Sequence, residues 1–323
     1  GGRLWLCTEA ATPEARRAPP QPPAVPPVPR NKRPAYLPQE YSVPPAISVP
    51  SAIAVPSYVL SGTGRPRQLT EEQYAEVKSP EVIARMRSAC GLAADALALA
   101  CEVAEEGVTT DEVDRRVAEF VVSRGGYPAG INYQGFPRGL CASPNEVVVH
   151  GVPNTRPLES GDIVNFDITV FYSGVFGDCS AMVCVGDVDD DALRLVDVTR
   201  QCLHEAIARV GPGVKLNTLG DFCTTFSRER GFGVVREYCG HFIGSEMHMR
   251  PNVHHVPNGI ELELRPGNTF TIEPILMEGG SAEIMGPLED GWTFISRNGA
   301  WSAQWEHTIL VTEHGAEVLT VPS

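Results

Sequence analysis

Apolar residues along this chain change their spacing several times, and each change marks an element. Val82, Ile83, Met86, Cys90, Ala93, Leu97 and Cys101 recur every three or four positions, which predicts a long amphipathic helix starting near Ser79-Pro80. Thr109-Thr110-Asp111-Glu112 reads as a capping box before Val113, Val117 and Phe120, and Gly125-Gly126 ends that second helix. Strand texture follows at 147–149, 162–172 and 181–185. Helical spacing returns at about 190–210 and 217–230, with Gly211-Pro212-Gly213 between them. The last section predicts strands at 270–277, 292–296, 303–312 and 317–321. The order helix, helix, strands therefore occurs twice, although no sequence repeat is legible. Runs of helices followed by runs of strands predict an α+β fold, an antiparallel sheet covered by helices.

The first seventy residues break this texture. They hold 15 of the 28 prolines, and proline lacks the amide hydrogen and fixes φ, so 1–70 is expected to be an extended or disordered leader. Residues 71–323 are then the folded domain. The leader carries eight Lys/Arg against three acidic residues, leaving −19 of the chain's net −14 on the body. A body so acidic repels phosphate backbones, which excludes nucleic acid as its partner. It also invites bound cations. No run of about 18 apolar residues predicts a membrane span. Nine cysteines contain no C-x-x-C pair, and their apolar neighbours suggest reduced thiols in a reducing compartment.

Acidic residues inside apolar strands are the chemical signal. In 162–170, Val164, Phe166, Ile168 and Val170 share one face, while Asn165, Asp167 and Thr169 share the other. A turn at Ser173-Gly174 folds a hairpin whose return strand brings Asp178 close to Asp167. Glu273 lies in a second apolar strand and Glu306 in a third, with Gln304 and Thr308 on its face. Tyr238-Cys239-Gly240-His241 adds an imidazole in a glycine-flanked loop. Buried carboxylates are costly unless paired or bound to a cation, and two divalent ions would balance four of them. Carboxylates with one imidazole suit Mn, Fe, Co or Zn.

Val149-His150-Gly151-Val152-Pro153, 165–169, 177–180, Cys239-Gly240-His241, 270–274 and 302–308 together resemble the type 1 methionine aminopeptidases, in order and at similar spacing. The resemblance covers roughly 71–320. It implies the pita-bread fold, two pseudo-symmetric halves with two divalent metal ions between them. It implies Asp167, Asp178, His241, Glu273 and Glu306 as ligands, Asp178 and Glu306 bridging, and Glu273 as the proton shuttle. His150 and His248 match the family's two non-ligand active-site histidines. Tyr133, Phe136, Cys141, Met247 and Trp292 match its slot for the methionine side chain. The implied partners are nascent polypeptide N-termini, near the ribosome, with the enzyme a monomer and no membrane involved.

Three positions depart from the family pattern. Phe242 replaces the usual glycine after the loop histidine and is expected to shift His241 or narrow the cleft. Met247 stands where an aromatic is common, and Cys179 where threonine is common. Competing expectations are an Xaa-Pro aminopeptidase or prolidase, or a non-catalytic binding module with this fold. The short leader argues against the first, and five intact ligand positions argue against the second. Glu273 and Glu306 lie only 33 residues apart, leaving no room for the helical insertion of the type 2 enzymes. The proline-rich, acid-poor leader points to a mitochondrion or chloroplast, with the cytoplasm as the alternative.

Overall fold

A hairpin of two ten-residue strands organises the molecule. In the computed structural model, which describes residues 41–323, β4 (Ile163–Tyr172) pairs with β5 (Val175–Cys184) over its whole length, turning at Ser173-Gly174. Val164, Phe166, Ile168 and Val170 point into the core as the alternation requires. Before the hairpin come the helical turn α1 (Ser57–Leu60), then α2 (Pro80–Val103), α3 (Thr110–Ser123), and the short strands β1 (Tyr127–Pro128), β2 (Cys141–Pro144) and β3 (Val147–Val149). After it come α4 (Asp190–Ile207), α5 (Thr218–Glu229), β6 (Gly233–Val234), β7 (Gly240–Phe242), β8 (Met249–Val253), β9 (Thr269–Ile272) and β10 (Ile275–Met277). The chain ends with β11 (Ile284–Met285), β12 (Phe294–Ser296), β13 (Ser302–Gln304), β14 (Glu306–Val311) and β15 (Ala316–Val318).

The expected caps form. Ser79 Oγ accepts from the Val82 amide with Pro80 in the first turn, and Thr109 Oγ1 accepts from the Glu112 amide. The buried face of α2 is mostly small: Ala89, Cys90, Ala93, Ala96 and Ala100. It therefore lies directly on the hairpin. A Cβ on Gly177 would come within 2.6 Å of the Cys90 amide nitrogen, so only glycine fits there.

The main sheet has nine strands in the order β1-β4-β5-β14-β9-β7-β8, with β2 on β4 and β15 on β14, all antiparallel. Its seam is β5 against β14, with Glu306 opposite Ser180. Helices α2 and α3 cover the first half and α4 and α5 the second, while Asp167, Asp178 and Glu306 lie on the sheet face opposite Val164, Phe166, Ile168 and Val170. This is the pita-bread fold.

Two expected strands prove to be four. The strand at 270–277 breaks at Glu273-Pro274 and that at 303–312 breaks at Trp305, so β9 and β14 stay in the main sheet while β10 and β13 form a second sheet with β6. Proline cannot donate to a ladder, which fixes the first break. The expected strand at 181–185 begins earlier, at Val175, because a glycine at 177 is tolerated where α2 covers it.

The leader is more than a tail in its described part. Its first forty residues lie outside the described residues. Residues 41–56 run without regular structure, apart from a turn at 51–53, and are held by side chains of the body: the Arg138 guanidinium donates to the Pro44 and Pro45 carbonyls, and Thr155 meets Ser42. Tyr58 is fully buried, with its hydroxyl 2.5 Å from the Ala129 carbonyl.

Phe242 corrects an expectation. Its neighbour His241 faces the cleft, so Phe242 faces the other way, fully buried and stacked on Phe270 with ring centroids 5.3 Å apart. It fills the core and does not narrow the cleft. Phe242→Gly is accordingly expected to cost about 3–5 kcal/mol of stability, as large-to-small core changes do, read from urea unfolding midpoints. A loss below about 1 kcal/mol would contradict this placement.

Candidate metal centre and active-site cleft

Two adjacent rows of side chains cross the sheet on the face away from α2. In the first, Asp167 of β4 lies opposite Ser180 of β5, which lies opposite Glu306 of β14. In the second, Thr169 of β4 lies opposite Asp178 of β5, and Thr308 of β14 lies opposite Thr271 of β9. Both rows arise from the two-residue strand period, which sends every second side chain to this face.

The acids converge. Asp178, His241 and Glu306 present ligand atoms all within 4.8 Å of one another, and all three residues are buried. Glu273 joins them, with its Oε1 3.8 Å from His241 Nε2, while Asp178 Oδ2 lies 3.7 Å from the same nitrogen. Asp167 sits on the same face, diagonal to Asp178 across the hairpin, and its charge raises the pKa values of Asp178, Glu273 and Glu306. Burial and mutual repulsion push Asp178 and Glu306 well above the usual carboxylate range. Burial lifts Asp167 to about 7 and, with Asp167's charge, Glu273 to about 8. Among the described residues, no lysine or arginine forms an ion pair with any of the four. Burial also lowers His241 to about 4, so the imidazole is neutral, as a metal ligand must be. A carboxylate cluster with one neutral imidazole and no internal counter-charge fits divalent metal.

Neighbouring side chains hold the acids in place. Thr169 Oγ1 donates to Asp178 Oδ1 at 2.9 Å, and Thr308 Oγ1 donates to the Asp178 carbonyl at 2.8 Å. Thr271 Oγ1 and Gln304 Nε2 donate to the two oxygens of Glu273. The break at Pro274 leaves the Glu273 amide without a ladder partner, and His255 Nε2 accepts it at 3.1 Å. Burial lowers His255 to about 3, which keeps that nitrogen an acceptor. Nothing in the pair His254-His255 announced this role in the sequence. His241 is oriented through its Nδ1, 3.1 Å from the Phe242 carbonyl, and a Cβ on Gly240 would lie 2.3 Å from the Thr271 carbonyl oxygen.

His248 and His150 lie around this centre. His248 meets His241 ring to ring at 4.3 Å, and its Nδ1 is 2.6 Å from the Tyr133 hydroxyl. His150 adopts the left-handed backbone region, φ 56°, before a glycine at which a Cβ would lie 2.0 Å from the Ala142 carbonyl oxygen. Its ring stands edge-on to Tyr238 at 5.0 Å and to Trp292 at 6.1 Å. Burial lowers its pKa to about 4.

Four of the five expected slot residues divide into two groups. Phe136 meets Trp292 at 5.1 Å on the His150 side, whereas Tyr133 and Met247 share a buried cluster with Tyr58 and Phe176. Cys141 lies opposite Asp167 in register. Sequence reasoning treated Tyr133 as slot lining and missed its bond to His248.

The chain matches the model of metallopeptidase family M24 over residues 84–313. It is 45% identical over 265 residues to methionine aminopeptidase 1A of Arabidopsis thaliana, covering 81% of this chain and 66% of that protein. It is 42% identical to methionine aminopeptidase 1D, chloroplastic/mitochondrial, of the same plant, covering 76% of this chain and 69% of that one. The crystal structure of methionine aminopeptidase from Rickettsia prowazekii superposes with a TM-score of 0.74 at 38% identity, covering 76% of this chain and 99% of that one.

The geometry around Asp178 generates a prediction. Thr169→Val removes a hydrogen bond to its carboxylate without touching a ligand, so divalent-metal affinity should fall about 10- to 100-fold. Calorimetric titration with Mn²⁺ checks this; unchanged affinity would show that the hydroxyl does not set the carboxylate.

Proposed function

This chain belongs to metallopeptidase family M24, among its methionine aminopeptidases, and we propose that it removes the initiator methionine from newly made polypeptides whose second residue is small. We assign Asp167, Asp178, His241, Glu273 and Glu306 as the residues that would hold two divalent ions, Co, Mn, Fe or Zn. The observation that carries the reading is the buried convergence of Asp178, His241 and Glu306, with Glu273 beside them. Bound there, the ions would polarise the scissile carbonyl and lower the pKa of the attacking water.

The chain's own groups do the remaining work. Glu273, held by Thr271 and Gln304, takes a proton from the water and passes it to the leaving amine. His248 donates from Nε2 to the scissile carbonyl oxygen, its Nδ1 being engaged by Tyr133. His150, kept neutral by burial, accepts from the amide of the following residue. Tyr133, Phe136, Cys141, Met247 and Trp292 receive the methionine side chain, whose unbranched thioether adapts to an apolar slot.

In this reading residues 71–323 carry every assigned site residue and 1–70 form the leader. The leader's basic, acid-poor composition supports a mitochondrial or plastid location. Among the described residues no helix is long and apolar enough to cross a membrane. A reporter fused to residues 1–70 is expected to enter one of these organelles, and diffuse cytoplasmic signal would overturn that part.

Two measurements test the chemistry. Asp178→Ala and Glu306→Ala should each abolish Met-Ala-Ser hydrolysis and weaken binding of both ions, while His241→Ala should mainly weaken one. Two equivalents bound with unchanged affinity by Asp178→Ala would refute the assignment of Asp178. In a Met-Xaa-Ser series, Gly, Ala and Ser at the second position should exceed Leu, Lys or Arg in kcat/KM by about ten- to two-hundredfold, the range that steric misfit of about 1–3 kcal/mol gives. Comparable rates for Met-Ala-Ser and Met-Lys-Ser would refute the small-residue restriction.

A further inference from the structure

The end of the leader touches the cleft at two places that the assigned chemistry does not use. Tyr58 is fully buried against Tyr133, ring centroids 5.2 Å apart and edge-on, and its hydroxyl is fixed to the Ala129 carbonyl. Gly64 holds the same loop, its carbonyl accepting from the Gln134 amide at 2.7 Å. The second place is Glu246, two residues before His248. Its carboxylate is almost completely buried, and the side chains that meet it come from the leader: Ser57 Oγ at 3.1 Å and Arg67 Nε at 3.3 Å. Just beyond, Gln73 Nε2 reaches the Ser245 hydroxyl at 3.5 Å. Residues 57–73 thus join the loop that carries Tyr133 to the loop that carries His248.

What lies between those loops is the 2.6 Å bond from Tyr133 to His248 Nδ1. In this pair the phenol is the stronger acid and the imidazole nitrogen the stronger base, so the hydroxyl hydrogen goes to Nδ1. Burial, with the Glu246 and Asp178 charges adding, pushes the phenol up to about 12, so it stays a donor. Nδ1 is then the acceptor and the imidazole proton sits on Nε2, the tautomer that can donate to an oxygen in the cleft. A fixed tautomer requires a fixed Tyr133.

We propose that residues 57–73 are a positioning element for the reaction: Tyr58 and the Ser57–Glu246–Arg67 cluster hold Tyr133 and His248 in the hydrogen bond that presents His248 Nε2 to the substrate. This rests on the assignment of His248 as a donor to the scissile carbonyl. The leader segment acts through Tyr133 and makes no contact of its own with the reacting atoms.

The test uses the full chain, with kcat and KM on Met-Ala-Ser, bound metal and melting temperature measured for each variant. His248→Ala comes first, and unchanged kcat there would overturn the assignment on which the inference stands. Given a loss at His248, the Ser57→Ala/Arg67→Ala double variant and Tyr58→Ala should each lower kcat about tenfold with KM and metal content little changed. Tyr58→Phe, which keeps the ring against Tyr133, should recover most of the rate lost in Tyr58→Ala. In a Tyr133→Phe background, where the positioned hydroxyl is gone, Tyr58→Ala should cost nothing further in kcat. Full activity in Tyr58→Ala and in the double variant, or additive losses with Tyr133→Phe, would overturn the inference while leaving the His248 assignment standing.

Discussion

Four carboxylates on neighbouring strands repel one another, and everything around them is arranged to keep them together. Asp167, Asp178, Glu273 and Glu306 are each raised in pKa by burial, three of them further by the others' charges. Like charges in a low-dielectric cleft are a large unfavourable term, and flexible loops would relieve it by moving apart. Here Asp167, Asp178 and Glu306 sit within paired strands, and Glu273 sits at a strand break pinned by Thr271, Gln304 and His255. The sheet supplies a rigid frame, and a bound cation supplies the missing counter-charge. Affinity for metal is stored in the fold as unrelieved repulsion.

That constraint explains the architecture behind the cleft. The face opposite the acids is apolar at Val164, Phe166, Ile168 and Val170, and α2 presses on it through alanines and the glycine at 177. Such close packing leaves the hairpin little freedom to flex. In the second half Phe242 does the same for His241: its ring anchors β7 to β9 through Phe270. A glycine at that position would remove this ring packing and leave β7 tied to β9 by hydrogen bonds alone.

Much of this was legible because period and chemistry coincide. The long helix at Ser79-Pro80, the capped helix at Thr109 and the hairpin turn at Ser173-Gly174 announce themselves through local rules, and local rules decide them. The acids were visible as charges at polar positions of apolar strands. Strands of two to five residues, such as β1, β6, β7 and β8, were not visible, since they are too short for alternation to show and owe their pairing to neighbours distant in sequence. For the same reason the breaks at Glu273-Pro274 and Trp305 were hidden: a strand that changes sheets keeps its apolar texture. His255 and Glu246 could not be singled out because their partners are a backbone amide and a distant leader.

The described part of the leader is packed as well as extended. Proline removes a ladder donor, and residues 41–56 carry no strand. Extended chain nevertheless offers carbonyl oxygens, and Arg138, whose guanidinium is buried beside Asp114, donates to two of them at Pro44 and Pro45. A prolyl segment bound in this way loses little entropy, because its free state is already restricted. Its next residues deliver Tyr58 into a core cluster shared with Tyr133, Met247 and Phe176. The physical role of proline here is to bring a stiff strand across the surface at low cost and set an aromatic ring beside the cleft, where packing on Tyr133 reaches the imidazole of His248.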